Sequence, residues 1–464
     1  MPWTTPPGAG ATVHIWNGYS LAERDRRWNA VRENARRAGF DCVLVPLGDG
    51  IDARYMTQLR CSPMVLPSDG RPPIVIADRR SSNTWIPDPW QTGREWAEPM
   101  AEALLDLGMA CARVGVAGLN GGVLTHCRSI DGVVNHTALA HVMARVPNAS
   151  FHDATDVIGF ARYVKSEEEI SFIRESTRVA TAGLEELIRL ARPQIDAGTV
   201  YADVLAHMLE LLSEYTPLTL TIGSIHDATV ERYCNPPIGK RLQPNELITN
   251  EVNAIRGAQM TQVSQPILLG KAPQNWQAVI ALQREVYEAG LAMIKPGTTF
   301  GELGDFANTF GSRRGMQTAM QLAGCGYGDD GPLYPTITRR DRARDIAISA
   351  GNAFIWKPIA MSADRKIQFS WADRSWLPKA AVRRCLSANT ASWKLSERLW
   401  SPNVQARLDC DFVDDATLWE PAVAHRRCRR RDRQAGVVLR SEPDERAGEE
   451  RISRGHCEAL SHTN

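Results

Sequence analysis

The segment Lys165-Ser166-Glu167-Glu168-Glu169-Ile170 constrains the fold more than any other stretch of this chain. Ser166 followed by Glu169 three residues on is a capping box. The hydroxyl takes a free backbone N–H, and the carboxylate answers from the third turn position. Acidic residues in a first turn also suit the positive end of a helix. Ile170, Ile173, Ala180, Leu184 and Leu187 then fall on one stripe at helical spacing, which predicts a long amphipathic helix to about Leu190.

The flanking signals organise around that helix. Upstream, an amphipathic helix over Leu21 to Ala38 precedes the short apolar strand Cys42-Val43-Leu44-Val45. Strands follow at Ile74 to Ala77 and Val114 to Val116, with helices around Met100 to Leu107 and Ala138 to Ala144. Alternation of this kind describes an α/β domain over residues 15–160, behind a flexible N-terminus over residues 1–14. Downstream, a helix over Thr199 to Ser213 leads to strands at Leu218 to Ile222 and Leu247 to Val252. A helix over Trp276 to Met293, the turn Lys295-Pro296-Gly297-Thr298-Thr299, a glycine-rich segment and a strand at Ala353 to Trp356 complete a second domain over residues 161–373.

Composition narrows the function classes. The chain has 464 residues, 43% hydrophobic and 23% charged, and a net charge of +1. That length suffices for two or three domains with full-sized cores, and the charge points to neither a nucleic acid nor an anionic membrane. No apolar run is long enough for a transmembrane helix, and the start, Met1-Pro2-Trp3, has no signal-peptide pattern. Ten cysteines without a CxxC pair fit reduced thiols in a cytoplasmic protein.

Four segments, in order, resemble the creatinase, aminopeptidase P and methionine aminopeptidase superfamily. Val164 to Arg174 resembles its entry helix, K-S-x-x-E-I-x-x-(I/M)-R, and Ile294 to Thr299 its I-x-P-G-x-T turn. Gly324-Cys325-Gly326-Tyr327-Gly328 resembles its G-H-G-x-G loop, and Phe354 to Pro358 its strand ending in E-P. The resemblance implies an α/β (α+β) architecture, with a creatinase-type N-terminal domain followed by a pita-bread catalytic domain. It also implies a small-molecule substrate and a homodimer.

The family's peptidases hold two divalent ions with two aspartates, one histidine and two glutamates, and the bridging water is the nucleophile. Here Glu251 and Gln262 stand at the aspartate positions. Cys325 stands at the histidine position, or Ala323 if Pro332 sets the register. Lys357 and Ala372 stand at the glutamate positions, and no histidine occurs between Asp227 and Ala424. Only Glu251 suits a hard ion, so no metal and no other cofactor is expected. Creatinase, which the fold supports without metal, uses a histidine where this chain has Cys234.

The resemblance thus leaves a pocket with changed chemistry. Its candidate catalytic residues are Glu251, Cys234, Lys357 and His226, and its candidate substrate contacts are Gln262, Cys325 and Tyr327. Lys357 pairs with Glu251, anchors a substrate carboxylate, or acts as a desolvated base. Cys234 is a nucleophile or a small buried thiol. Cys325 is a contact or tight packing, and Tyr327 with Asp329-Asp330 lines the mouth or belongs to a solvated loop. His226 is an acid–base group or a surface histidine. The activity expected is metal-independent hydrolysis or elimination on a small amide, amidine or related C–N compound. The alternatives are a pseudoenzyme or binding protein, and a metal-dependent Xaa-Pro aminopeptidase.

Beyond Asp373 the family character stops. Arg383-Arg384 and His425-Arg426-Arg427-Cys428-Arg429-Arg430-Arg431 sit among scattered tryptophans and cysteines without periodicity. Synonymous codons for Arg374 to Ser387, read in another frame, encode V-L-V-T-E-S-G-C-E-A-L-S-K, which resembles the missing family ending. Residues 374–464 therefore read as the product of a shifted frame, against the competing reading of a basic tail that binds nucleic acid or a partner. Sequencing the coding DNA checks this. An alternative frame encoding that peptide is expected, and its absence would end the idea.

Overall fold

Helices laid on both faces of the first sheet, and along one face of each of the other two, account for this architecture. A computed structural model describes residues 18–376 and 383–384, apart from 47–49, 60, 80–81, 125–131, 227–229, 329, 333 and 335–342. All of them belong to the unit Met1–Val404. The expected flexible N-terminus and nearly all of the tail beyond Asp373 lie outside the described residues.

The first sheet is built from β1 (Cys42–Val45), β2 (Met64–Pro67), β3 (Ile74–Ala77), β4 (Trp90–Gln91), β5 (Arg113–Val116) and β6 (Ser150–Asp153), in the order β4-β3-β2-β1-β5-β6. The β1–β5 and β5–β6 pairs are parallel, whereas β1–β2 and β2–β3 are antiparallel. Helices α1 (Leu21–Arg37), α2 (Ile51–Thr57), α3 (Ala97–Asp106), α4 (His136–Arg145) and α5 (Thr155–Tyr163) surround it. The four-residue strand Cys42–Val45 is buried at every position, as a strand covered on both faces must be.

Next come α6 (Glu167–Leu190) and α7 (Ala197–Glu210). The capping box at Ser166 forms both of its bonds: Glu169 N–H donates to Ser166 Oγ at 3.1 Å, and Ser166 N–H donates to Glu169 Oε2 at 3.0 Å. Strands β7 (Thr219–Ser224), β8 (Val230–Tyr233), β9 (Glu246–Arg256), β10 (Gln259–Val263) and β11 (Ile267–Leu268) form the second sheet, with β10-β9-β7-β8 in order and β11 on β9. Val179 and Leu187 of α6 and Val204 of α7 pack on Leu220, Ile248 and Val252 of that sheet.

The third sheet follows α8 (Gln274–Met293) and α9 (Phe300–Thr309). Its strands are β12 (Gln317–Gly324), β13 (Ala353–Met361), β14 (Gln368–Ser370), β15 (Asp373–Trp376) and β16 (Arg383–Arg384). Tyr287, Leu291, Phe300 and Leu303 cover Phe354 and Trp356 of β13 from one side. Contact there is close: a Cβ at Gly290 of α8 would collide with the Trp356 ring, so only glycine fits. Isolated bridges Met260–Gly326 and Ser264–Ala372 join the second and third sheets. The faces opposite these helices carry the half-buried rows Glu251 on β9 and Lys357, Ile359 and Met361 on β13.

A buried arginine ties the first sheet's helices to this assembly. Arg27 of α1 is fully buried, with its guanidinium 4.2 Å from the Tyr19 ring centroid and 4.6 Å from that of Tyr55. It pairs with Glu169 at 3.2 Å and with Glu23 at 2.7 Å, and donates to Tyr327 Oη at 2.7 Å. Arg26 adds a second ion pair to Glu169 at 2.9 Å. Aromatic faces and carboxylates together replace the water this cation has lost. Arg27→Met leaves the fully buried Glu169 with only one cation and should cost about 3–5 kcal/mol in denaturant unfolding. Burial alone would raise the Glu23 carboxyl, but its bonds to Arg26 and Arg27 hold it below the usual range. The Glu23 contribution is therefore present above the ordinary glutamate pKa and is lost as pH falls through the depressed folded value. Urea midpoints of the Glu23→Gln variant should accordingly show a weaker loss across that acid window than those of the native chain.

Candidate functional site

Two antiparallel ladders bring the polar residues together. Thr219 of β7 pairs with Glu251 of β9, and Gln321 of β12 pairs with Lys357 of β13, so each pair shares a sheet face. Across the gap between the two sheets, Lys357 Nζ lies 3.4 Å from Glu251 Oε1. Arg232 of β8 approaches the other carboxylate oxygen, Glu251 Oε2, at 3.4 Å. The Lys357 side chain is 13% exposed, that of Glu251 31% and that of Arg232 62%. Glu251 thus stands between a sheltered ammonium and an open guanidinium.

An amide pair adjoins this trio. Asn253 lies two residues beyond Glu251 and so on the same face of β9, and its register partner on β10 is Gln262. Gln262 Nε2 donates to Asn253 Oδ1 at 3.0 Å, and Asn253 Nδ2 donates to Pro217 O at 3.3 Å. Those bonds settle the orientation of both amides, and Gln262 Oε1 is left as a buried acceptor with no hydrogen bond among the described residues. An unmet acceptor of this kind costs about 1–3 kcal/mol until a donor reaches it.

The remaining sequence candidates lie elsewhere. Cys325 is buried in an apolar cluster with Ile170, Ile173, Ala353, Ile355 and Ala372. Cys325 and Ala372, both expected at ligand positions, are therefore packed together among apolar side chains. Tyr327 is not at a pocket mouth. Its ring packs with the α1 and first-sheet core, and its hydroxyl accepts from Arg27. Burial pushes that phenol up, against the pull of Arg27, so it stays neutral. Asp330 is buried as well, accepting from Lys165 Nζ at 2.6 Å and from Tyr327 N–H at 2.8 Å, while Asp329 lies outside the described residues. A Cβ at Gly326, where φ is +148°, would strike the Asp330 carboxylate, so the glycine follows from this anchor.

Cys234 is exposed, just past β8, and its carbonyl accepts from Tyr201 Oη at 3.0 Å. Tyr233 pairs with Leu220, the neighbour of Thr219, which places Cys234 two strands from Glu251, about 10 Å away by strand spacing. His226 is exposed beyond the far end of β7. Thr219, not Ser224, is the partner of Glu251, so the strand carries His226 roughly 20 Å along from it. Glu251, Lys357 and Gln262 thus share one region, and His226 and Tyr327 do not. Arg232 and Asn253 were missed in the sequence, although the two-residue spacing of Asn253 from Glu251 is itself a same-face signal.

A dinuclear metal centre does not fit this donor set. The carboxylate of Glu251 already faces two cations, Gln262 offers a neutral amide oxygen, and Cys325 and Ala372 sit in an apolar cluster. Among the described residues no group of three or more histidine, cysteine, aspartate or glutamate side chains is placed to hold an ion.

Comparison with known proteins agrees with the fold. Residues 171–376 match Metallopeptidase family M24. An uncharacterized hydrolase/peptidase of Sinorhizobium fredii, y4tM, is 25% identical over 173 residues, which cover 36% of this chain and 44% of that protein. Methionine aminopeptidase 1A of Arabidopsis thaliana is 21% identical over 219 residues, covering 46% of this chain and 53% of that one. The chain therefore spans about half the length of these curated relatives. The crystal structure of dipeptidase PepE from Mycobacterium ulcerans superposes with a TM-score of 0.62 at 15% identity, over 80% of this chain and 97% of that one. With the two joined sheets, the helices on their outer faces and the α/β region ahead of them, the chain carries the pita-bread fold, and residues 171–376 are similar to the M24 metallopeptidases.

Proposed function

We propose that this member of a hydrolase superfamily is a metal-independent hydrolase or lyase acting on a small amide, amidine or related C–N compound. The observation that carries the reading is the Lys357–Glu251 pair at 3.4 Å, where ions would otherwise stand. Glu251 is the carboxylate available to take a proton. In hydrolysis that proton comes from the water that attacks the amide or amidine carbon, and it passes to the departing nitrogen as the C–N bond breaks. In elimination it comes from the carbon next to that bond. The Lys357 ammonium, sheltered from solvent, stabilises negative charge as it develops on the substrate. Gln262 Oε1 supplies an acceptor for an amide or amidine N–H.

A binding protein without turnover is the second reading, favoured by the engagement of Glu251 with both Lys357 and Arg232. No helix among the described residues is long and apolar enough to cross a membrane. Reduced thiols at Cys42, Cys61, Cys111 and Cys234 support a reducing, cytoplasmic setting, and the superfamily resemblance supports a homodimer.

A panel of small amides and amidines offered to the full chain tests the reading. Turnover should survive a chelator and fall about a hundredfold or more in Glu251→Gln. Binding with no turnover of any compound would favour the second reading. Cleavage of Xaa-Pro dipeptides that the chelator abolishes would overturn both and make the chain a metallopeptidase.

A further inference from the structure

We infer that this polar face, around Lys357 and Arg232, is an anion subsite that takes the carboxylate of a small monoanionic ligand. Two cations, Lys357 and Arg232, face one carboxylate, Glu251, so the trio carries one excess positive charge. The Lys357 ammonium has three N–H donors and one recorded partner among the described residues, at a long 3.4 Å. Its side chain is sheltered, so the remaining donors are better satisfied by an anion than by bulk water. Gln321, the register partner of Lys357, stands half-buried beside it and adds amide donors on the same face.

The charge balance also selects the class of anion. Glu251 remains beside the two cations and repels a second negative charge, which disfavours phosphate dianions and leaves a carboxylate as the matching group. Arg232 supplies a planar fork suited to that group from the open side. The ligand of the proposed C–N chemistry would then carry a carboxylate as well as the reacting amide or amidine. That extension rests on the preceding reading, whereas the anion subsite stands on the three charges alone.

Calorimetric titration of the full chain with N-acetylglycine and with its neutral analogue N-acetylglycinamide tests the inference. The acid should bind at least tenfold more tightly than the neutral amide. Lys357→Met should erase that preference, and Lys357→Arg should restore most of it. Glu251→Gln should tighten the acid several-fold, since it removes the competing negative charge, although the same variant is expected to lose turnover. Equal binding of the two compounds, no binding of either, or an acid affinity unchanged in Lys357→Met would overturn the subsite. Loss of the acid preference with turnover of neutral amides intact would leave the C–N reading standing alone. Acid-selective binding with no turnover of any amide would leave the subsite standing alone.

Discussion

The ion pair between Arg27 and Glu169 joins parts of the chain far apart in sequence, and the glycine-rich loop is anchored to it through Tyr327. Glu169 caps its own helix through Ser166, accepts the charge of two α1 arginines, and is fully buried. Arg27 in turn donates to Tyr327, whose backbone N–H is held by Asp330, which is held by Lys165. One continuous run of buried charges and phenols therefore links α1, the start of α6 and the glycine-rich loop. Buried ion pairs are costly to desolvate, and they persist where every member has a partner. Here each charge supplies the next one's compensation.

The same loop adjoins two different kinds of surroundings. The glycine loop has its turn geometry, and Cys325 packs with Ile170, Ile355 and Ala372. On the neighbouring strands the surroundings are polar. Lys357 brings a positive charge to Glu251, and Arg232 brings another from the β8 side. Cys325 and Ala372 thus lie in apolar packing, whereas Glu251, Lys357 and Arg232 form a cationic polar patch. Among the described residues neither group brings together the hard oxygen donors that a divalent ion requires.

Much of the fold was legible in local pattern. The Ser166–Glu169 box and the stripe after it correspond to α6 over Glu167–Leu190, and the apolar run Cys42–Val45 corresponds to β1 within its own bounds. Strand β12 was not anticipated, since Gln317-Thr318-Ala319-Met320-Gln321-Leu322 has few β-branched residues and owes its state to eight-residue pairing with β13. Arg27 was equally silent. In the sequence it is one of several arginines on α1, and only the aromatic surfaces of Tyr19, Tyr55 and Trp85 folding over it make it a core residue.

The sequence by itself determined which chemical groups are present: no histidine from Asp227 to Ala424, a lysine at 357 and a glutamine at 262. Those identities are covalent facts, and with the ordered motifs they specify the scaffold. Tertiary structure alone decided which groups meet. Lys357 reaches Glu251 because two separate sheets are joined at Met260–Gly326 and Ser264–Ala372. Tyr327 turns away to Arg27, and His226 is carried beyond the far end of its strand. Contacts of this kind arise between residues a hundred or more positions apart, where strand register and sheet joining, rather than local propensity, set the distance.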